Sequence, residues 1–291
     1  MLEIPLLYKD RRLEGETTLR QCQLVQLHLL YVFDAICKEY NLTYFLGGGT
    51  LLGAMRHGGF IPWDDDLDVG MPMKDYKKFL KLAPSVLPKD VILQTPKTNP
   101  HTALPFSKLR DAYSFYYEMR SDVATSDFAG IFLDIFPYEE MPNVGRSLEI
   151  FLLRAVFHCY QWKMRSQLCW NTNALMTLLG VVINLFYNTL YRLIRFAIMM
   201  MKVVFPPKTT VIQLDNGYRV CYETSKIYPT TEANFEDGEF PVPNDPDAFL
   251  TAQYGNWSEV PPPEKRPRHA TIILPTTAQK LPNAMEYPLN A

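Results

Sequence analysis

Four carboxylates, Asp64, Asp65, Asp66 and Asp68, crowd together near the end of the stretch LGGGTLLGAMRHGGFIPWDDDLDVGM, residues 46–71. In an extended chain alternate side chains share a face, so Asp64, Asp66 and Asp68 point one way and Asp65, Leu67 and Val69 the other. Carboxylates one residue apart lie about 6.5–7 Å from each other at the backbone, within reach of one Mg²⁺ or two neighbouring ions. Leu67, Val69 and Met71 supply the apolar face that would hold this strand in a sheet. Upstream, the short strand signal Thr43–Leu46 runs into Gly47-Gly48-Gly49, and Thr50–Arg56 reads as a helix with Thr50 as candidate N-cap. A strand, a glycine turn and a helix N-terminus together present backbone N–H groups to an anion. The alternative is a tight turn that needs positive φ, and the residues alone leave both open.

Two further stretches bear on the same chemistry. In Gly130-Ile131-Phe132-Leu133-Asp134-Ile135-Phe136-Pro137 a single acid sits in an apolar strand, which requires a partner cation, hydrogen bonds or a changed pKa. Asp134 reads as a third metal-binding carboxylate beside Asp66 and Asp68; the plainer reading is a strand-end cap. In Phe106–Arg110, Lys108 and Arg110 share one strand face, either turned to a bound phosphate or solvated at an edge. Arg56 and His57 are further candidates for holding phosphate oxygens.

Known metal and phosphate motifs do not account for the acidic stretch. A calcium loop beginning at Asp64 would need glycine sixth and glutamate twelfth, where Val69 and Asp75 stand. No G-K-[ST] follows the glycines, and a dinucleotide fingerprint starting at Gly47 would need glycine in place of Leu52.

The surrounding pattern predicts the elements that position these groups. Residues 18–40 form an amphipathic helix opened by a Thr18-x-x-Gln21 capping box, with His28 a core or boundary histidine. Lys74–Leu82 is a helix closed by Pro84 and Pro88; residues 91–94, 106–110 and 114–119 are strands. Residues 147–169 and 174–203 are strongly apolar helices. Within the second, 175–191 falls just short of a membrane span, and Asn184, Asn188, Arg192, Arg195, Met199 and Lys202 form a narrow stripe. That helix is either buried in the protein or docked on an anionic membrane. Residues 209–227 are strand-rich, and a short helix covers Asp245–Tyr254. Lys265, Arg266, Arg268 and His269 form a basic cluster that either folds back onto phosphate or stays solvated, and the last twenty or so residues are loosely ordered. The expected domains are a catalytic core over 1–145, a helical insertion over 146–205, and 206–291 as a return to the core with a loose, Pro-rich tail.

Composition bounds the function. The chain has 291 residues, 47% hydrophobic and 21% charged, enough to bury a sizeable core. A net charge of -2 and a pI near 6.2 argue against nucleic acid as partner. Five widely spaced cysteines without a C-x-x-C pair suit a reducing compartment and offer no zinc site. The N-terminal MLEIPLLYKDRRLEGE lacks a signal-peptide pattern. Together these lead us to expect a cytoplasmic protein, peripheral on the inner membrane face if 174–203 docks there.

The 46–71 stretch resembles the signature of the LicD family, related to the fukutin group within the nucleotidyltransferase-fold superfamily. GIFLDIFP at 130–137 and FEDGEFPVPNDPDAFLTAQYGNWSEVPPPEKR at 235–266 extend the likeness over most of the chain, with 146–205 outside it. The resemblance implies an α+β fold, a small nucleotidyltransferase-like mixed sheet flanked by helices. It implies Mg²⁺, with Mn²⁺ as alternative, on Asp66, Asp68 and Asp134, the last as ligand or base. Gly48, Gly49 and Thr50 would contact donor phosphate; Arg56, His57, Lys108 and Arg110 are the additional phosphate candidates. The implied activity is transfer of a phospho-alcohol, phosphocholine foremost, from a CDP-linked donor to a hydroxyl of a glycan or its lipid-linked precursor, releasing CMP. Lipopolysaccharide or teichoic acid are the glycans in question. The alternatives are a nucleotidyltransferase releasing pyrophosphate and a non-catalytic member that binds glycan or membrane.

Overall fold

The structure, a computed structural model, describes residues 9–96, 98, 106–118, 129–168, 174–207, 210–213, 220–266 and 269–277. It is an α+β chain built on a mixed seven-stranded sheet. The central path runs β1 (Phe45–Leu46), β2 (Asp68–Pro72), β6 (Phe132–Glu140), β4 (Ser107–Asp111), β3 (Val91–Gln94). β7 (Thr210–Gln213) pairs with the far end of β6, and β8 (Cys221–Glu223) with β7. β2 and β6 run parallel, and every other pair in this sheet is antiparallel. A separate two-stranded ribbon joins β5 (Phe115–Glu118) to β11 (Ala270–Leu274), and another joins β9 (Thr231–Phe235) to β10 (Gly238–Val242).

Helix α1 (Thr18–Glu39) crosses the sheet with Leu29, Leu30, Val32, Phe33 and Ile36 in the main core. Its N-cap is Thr17, whose hydroxyl accepts from the Arg20 amide, so the capping position lies one residue before the Thr18 box read from the sequence. His28 sits at the boundary, 4.0 Å from Asp90. Helix α2 (Gly48–His57) begins two residues earlier than expected: Gly47 is its N-cap and Thr50 lies inside it, buried. Helix α3 (Met73–Val86) runs through Pro84 instead of ending before it; the helical hydrogen bond from Leu87 to Ala83 closes it one turn later.

Between β6 and β7, two antiparallel helices stand out from the sheet: α4 (Arg146–Leu168) and α5 (Ala174–Val204). At their base Leu153 and Val156 of α4 pack with Ile198 of α5 and Met141. Burial of α5 in the protein is overturned: only 6% of its most apolar window is buried. The short helix α6 (Thr224–Ile227) and α7 (Pro246–Tyr254, N-capped by Asp245) complete the chain's return to the core, and Phe249 and Leu250 are wholly buried. The C-terminal segment is more ordered than expected through Thr277, since Ala270–Leu274 forms β11; the remainder of that segment lies outside the described residues, as do Arg268 and Met119.

Candidate active site

The acidic stretch is held from three sides. From α1, Gln23 donates to the Asp64 carbonyl at 3.0 Å and Gln26 to the Asp65 carbonyl at 2.7 Å; both side chains are buried, three residues apart on one helix face. From α2, the Thr50 hydroxyl accepts the Asp68 N–H at 2.8 Å, and the Gly47 N–H donates to the Asp68 carbonyl at 3.0 Å. From β6, the Asp134 N–H donates to the Leu67 carbonyl at 2.8 Å. Ladder pairing starts only at Asp68, so residues 64–67 are not part of the strand and the strict alternation expected for them is relaxed. Leu67, Val69 and Met71 do face the core, each fully buried.

The glycine turn makes room for carboxylates. Gly48 has φ +50°, and a Cβ there would come within 2.2 Å of Asp68 Oδ2. A Cβ on Gly49 would lie 2.7 Å from Asp64 Oδ2 and 3.9 Å from Asp66 Oδ1. Asp64, Asp66 and Asp68 thus gather over the first turn of α2, where the positive end of the helix dipole favours negative charge. Of the three glycines, Gly48 requires positive φ, and the helix end faces the protein's own carboxylates.

Across the sheet a second line forms. Asp68 of β2 is in register with Asp134 of β6, and Asp134 with Lys108 of β4. Lys108 Nζ lies 2.8 Å from Asp134 Oδ1 and 3.1 Å from Oδ2, and 3.4 Å from the centroid of the Phe132 ring. Both charged groups are buried. Asp134 is thus a mid-strand residue with a cation partner, not a strand-end cap. Arg110, by contrast, points its guanidinium to Gln94 Oε1 at 2.5 Å and the Gly130 carbonyl at 2.6 Å, so it ties β3 to the segment just before β6.

The C-terminal segment closes the site. His269 Nδ1 lies 3.0 Å from Asp65 Oδ1 and 3.6 Å from Asp66 Oδ2, and the Ala270 N–H donates to Asp65 Oδ2 at 2.9 Å. Arg266 stacks on the Trp63 ring at 3.9 Å, with His57 edge-on to the same ring. Of the basic cluster, His269 and Arg266 fold back onto the acidic stretch itself. Arg56 and His57 stand at the far end of α2 from the glycine turn; Arg56 donates to the carbonyls of Trp257 and Glu259 at 3.0 and 3.2 Å.

The carboxylates do not titrate alike. Burial, followed by the charge of Asp66 and a hydrogen bond to it, raises Asp64 to about 8. Burial also raises Asp66, against the opposing pull of His269. Burial alone would raise Asp65 as well, but hydrogen bonds from His269 and the Ala270 amide outweigh it and lower this carboxyl. The hydrogen bond to Asp65 lifts His269 to about 9 despite burial, so the imidazole is a cation at neutral pH. Crowded carboxylates suit a hard divalent cation such as Mg²⁺. Among the described residues, Asp64, Asp65 and His269 bring their ligand atoms within 4.8 Å of one another, and Asp66, Asp68 and Asp134 do not form such a group.

The sequence reading gives Asp64 and Asp65 no role of their own and takes His269 only as part of a basic cluster. The one local signal for the His269–Asp65 contact is the strand-like run Ala270–Leu274 directly after that cluster.

A mixed sheet with a carboxylate cluster over the first turn of α2, beside a buried Lys108–Asp134 pair on the neighbouring strands, defines an α+β protein with a concentrated acidic site. The LicD/FKTN/FKRP nucleotidyltransferase domain profile matches residues 41–152, which include all four clustered acids, Lys108 and Asp134. The lipopolysaccharide cholinephosphotransferase LicD of Haemophilus influenzae is 29% identical over 271 residues, 87% of this chain and 96% of that protein. The human ribitol 5-phosphate transferase FKRP is 59% identical over 40 residues, 14% of this chain and 8% of its own length. The mouse ribitol-5-phosphate transferase FKTN is 27% identical over 116 residues, 40% of this chain and 21% of that protein. Residues 41–152 thus carry the LicD-family domain, and the likeness to LicD extends over most of the chain.

Proposed function

We propose that this chain is a phospho-alcohol transferase that moves the phospho-alcohol of a CDP-linked donor to a glycan hydroxyl and releases CMP. The observation that carries this reading is the row Asp68, Asp134, Lys108 on three adjacent strands, beside the carboxylates gathered at the start of α2. Relatives named for cholinephosphate and ribitol phosphate transfer support the class, and the longest match makes phosphocholine the first donor group to test. The nucleotidyltransferase-like fold is part of the same reading, supported by the domain profile.

In the proposed reaction the glycan hydroxyl attacks the β-phosphorus, the bond from that phosphorus to the bridging oxygen breaks, and CMP leaves with the electron pair. Asp134 takes the hydroxyl proton, and Lys108 fixes the direction of its carboxylate. Asp66 and Asp68, the half-buried acids of the cluster, would hold Mg²⁺ or Mn²⁺ with Asp64 as a further oxygen donor. When bound, that ion supplies charge neutralisation to the pyrophosphate. The N–H groups of Gly48 and Gly49 face the same region at the positive end of α2 and serve phosphate oxygens. Thr50 acts through the Asp68 backbone. Arg56 and His57 are too far along α2 to share that turn, and they belong to the donor's outer end beside Trp63. Arg110 is a brace, not a phosphate ligand.

The test is incubation of the purified chain with Mg²⁺, a glycan acceptor and each of CDP-choline, CDP-ethanolamine, CDP-ribitol and CDP-glycerol, and in parallel with CTP, scoring nucleotide products. CMP release supports the reading. Pyrophosphate from a nucleoside triphosphate instead would make the chain a nucleotidyltransferase. Absence of any Mg²⁺-dependent nucleotide binding would make it a non-catalytic member.

A further inference from the structure

The α4–α5 hairpin packs a small apolar base, Leu153 and Val156 against Ile198, and leaves most of the apolar surface of α5 outside, unlike a helix that packs on a soluble core. The inward stripe of α5 carries Arg195 and Lys202, both directed to Glu139 of β6, with Lys202 Nζ at 3.6 Å, and Asn184, which donates to the Lys163 carbonyl at 3.0 Å. The polar stripe read from the sequence is therefore turned largely to the protein. The opposite face presents Leu178, Val182, Leu185, Phe186, Phe196 and Val203, each more than half exposed. Such a continuous apolar face needs an occupant.

Charge points to which one. Residues 146–205 contain seven Lys and Arg and a single carboxylate, Glu149, which is buried, whereas the whole chain is net -2. Arg146, Arg154 and Arg192 are exposed on the hairpin, and the exposed stripe of α4 adds Phe151, His158 and Trp162. Cations and aromatics flanking an apolar face match the headgroup layer of an anionic leaflet. α5 has 31 residues and a length of about 46 Å, so length alone would let it cross a bilayer. A crossing hairpin, however, would carry Arg154 and His158 near the middle of α4 into hydrocarbon, which is costly.

We propose that the α4–α5 hairpin docks flat on an anionic phospholipid surface, with the outer face of α5 in the leaflet and the basic edge of α4 at the headgroups. Glu139, which receives Arg195 and Lys202, lies five residues along β6 from Asp134, roughly 17 Å at strand rise. Docking would thus hold the acidic site a fixed distance above the lipid. This inference stands on the hairpin alone and is independent of the transferase reading.

The experiment is flotation of the full chain with vesicles of phosphatidylcholine alone or of equal parts phosphatidylcholine and phosphatidylglycerol, at low and high salt. Wild type floats with the mixed vesicles and much less with the neutral ones, and salt weakens it. Leu185→Glu with Phe196→Glu, and separately Arg154→Glu with Arg192→Glu, each weaken partitioning about tenfold or more with unchanged circular dichroism, since all four side chains are exposed. No flotation of wild type, or flotation unaffected by both double variants, overturns the proposal. A dimer in sedimentation velocity that the Leu185/Phe196 variant dissolves, without vesicle binding, would make a second copy the occupant and also overturn it. Resistance of the membrane-bound chain to alkaline carbonate extraction would show a spanning hairpin, and would equally overturn flat docking.

Discussion

Lys108 and Asp134 face each other across the β4–β6 ladder with Nζ 2.8 Å from Oδ1, both buried, and Asp134 stands in register with Asp68 on its other side. A buried pair of this kind contributes little by existing, because desolvation offsets attraction, but removing one partner strands the other. Lys108→Met is expected to lower stability by about 3–5 kcal/mol, read from urea unfolding. Lys108→Met with Asp134→Leu should recover much of that loss while remaining inactive. Equal loss in the single and double variants would mean that the pair is not coupled.

Gly48 and Gly58 both have positive φ, yet they differ in surroundings. A Cβ on Gly58 meets nothing within 4 Å, so Gly58→Ala should cost only about 1 kcal/mol of backbone strain. A Cβ on Gly48 lies 2.2 Å from Asp68 Oδ2, so Gly48→Ala must displace that carboxylate as well. The expectation is a further loss of CMP release of about a hundredfold or more for Gly48→Ala and near-normal turnover for Gly58→Ala. Equal activity of the two variants would count against Asp68 at the glycine turn.

Two shifts make stability fall as pH rises. His269, facing Asp65, Asp66 and Asp64, is raised to about 9, so its contribution is complete below its unfolded value of 6.5 and is lost as pH passes through about 9. Asp64 is raised to about 8, so the folded state keeps a proton that the unfolded chain gives up above 3.8, and stability declines between those values. Urea midpoints of the metal-free chain should therefore drop from pH 6.5 to 9.5, and drop less in His269→Gln. A flat wild-type profile would contradict the His269–Asp65 contact.

The same Asp64 proton should compete with a divalent ion. Mg²⁺ binding is expected to tighten from pH 6 to 8.5 and to release close to one proton per ion. Titration calorimetry in buffers of different ionisation heat reads that release, and Asp64→Asn should abolish it. Tighter binding at pH 6 than at pH 8.5 would exclude Asp64 from the ion's surroundings.

Much of this centre was legible in the residues. The glycine turn, Asp66, Asp68 and the lone acid of GIFLDIFP stood out because polar groups in apolar surroundings need a reason. What could not be read was pairing at long range. Asp68 and Asp134 are neighbours only because β2 and β6 run parallel, and Lys108 rather than Arg110 reaches Asp134 only because of the β4 register. The sequence shows His269 as a charge but not as the partner of Asp65, since 204 residues separate them. The α5 stripe was seen, but its direction depended on Glu139 at the end of β6.

The central claim is that Asp66 and Asp68 serve phospho-alcohol transfer from a CDP-linked donor. The direct measurement is Mg²⁺-dependent CMP release from CDP-choline and the three other CDP-alcohols by wild type, Asp66→Asn and Asp68→Asn. Wild type is expected to release CMP from at least one donor, and each variant to lose about a hundredfold or more with the fold intact. Undiminished turnover in either folded variant would contradict it.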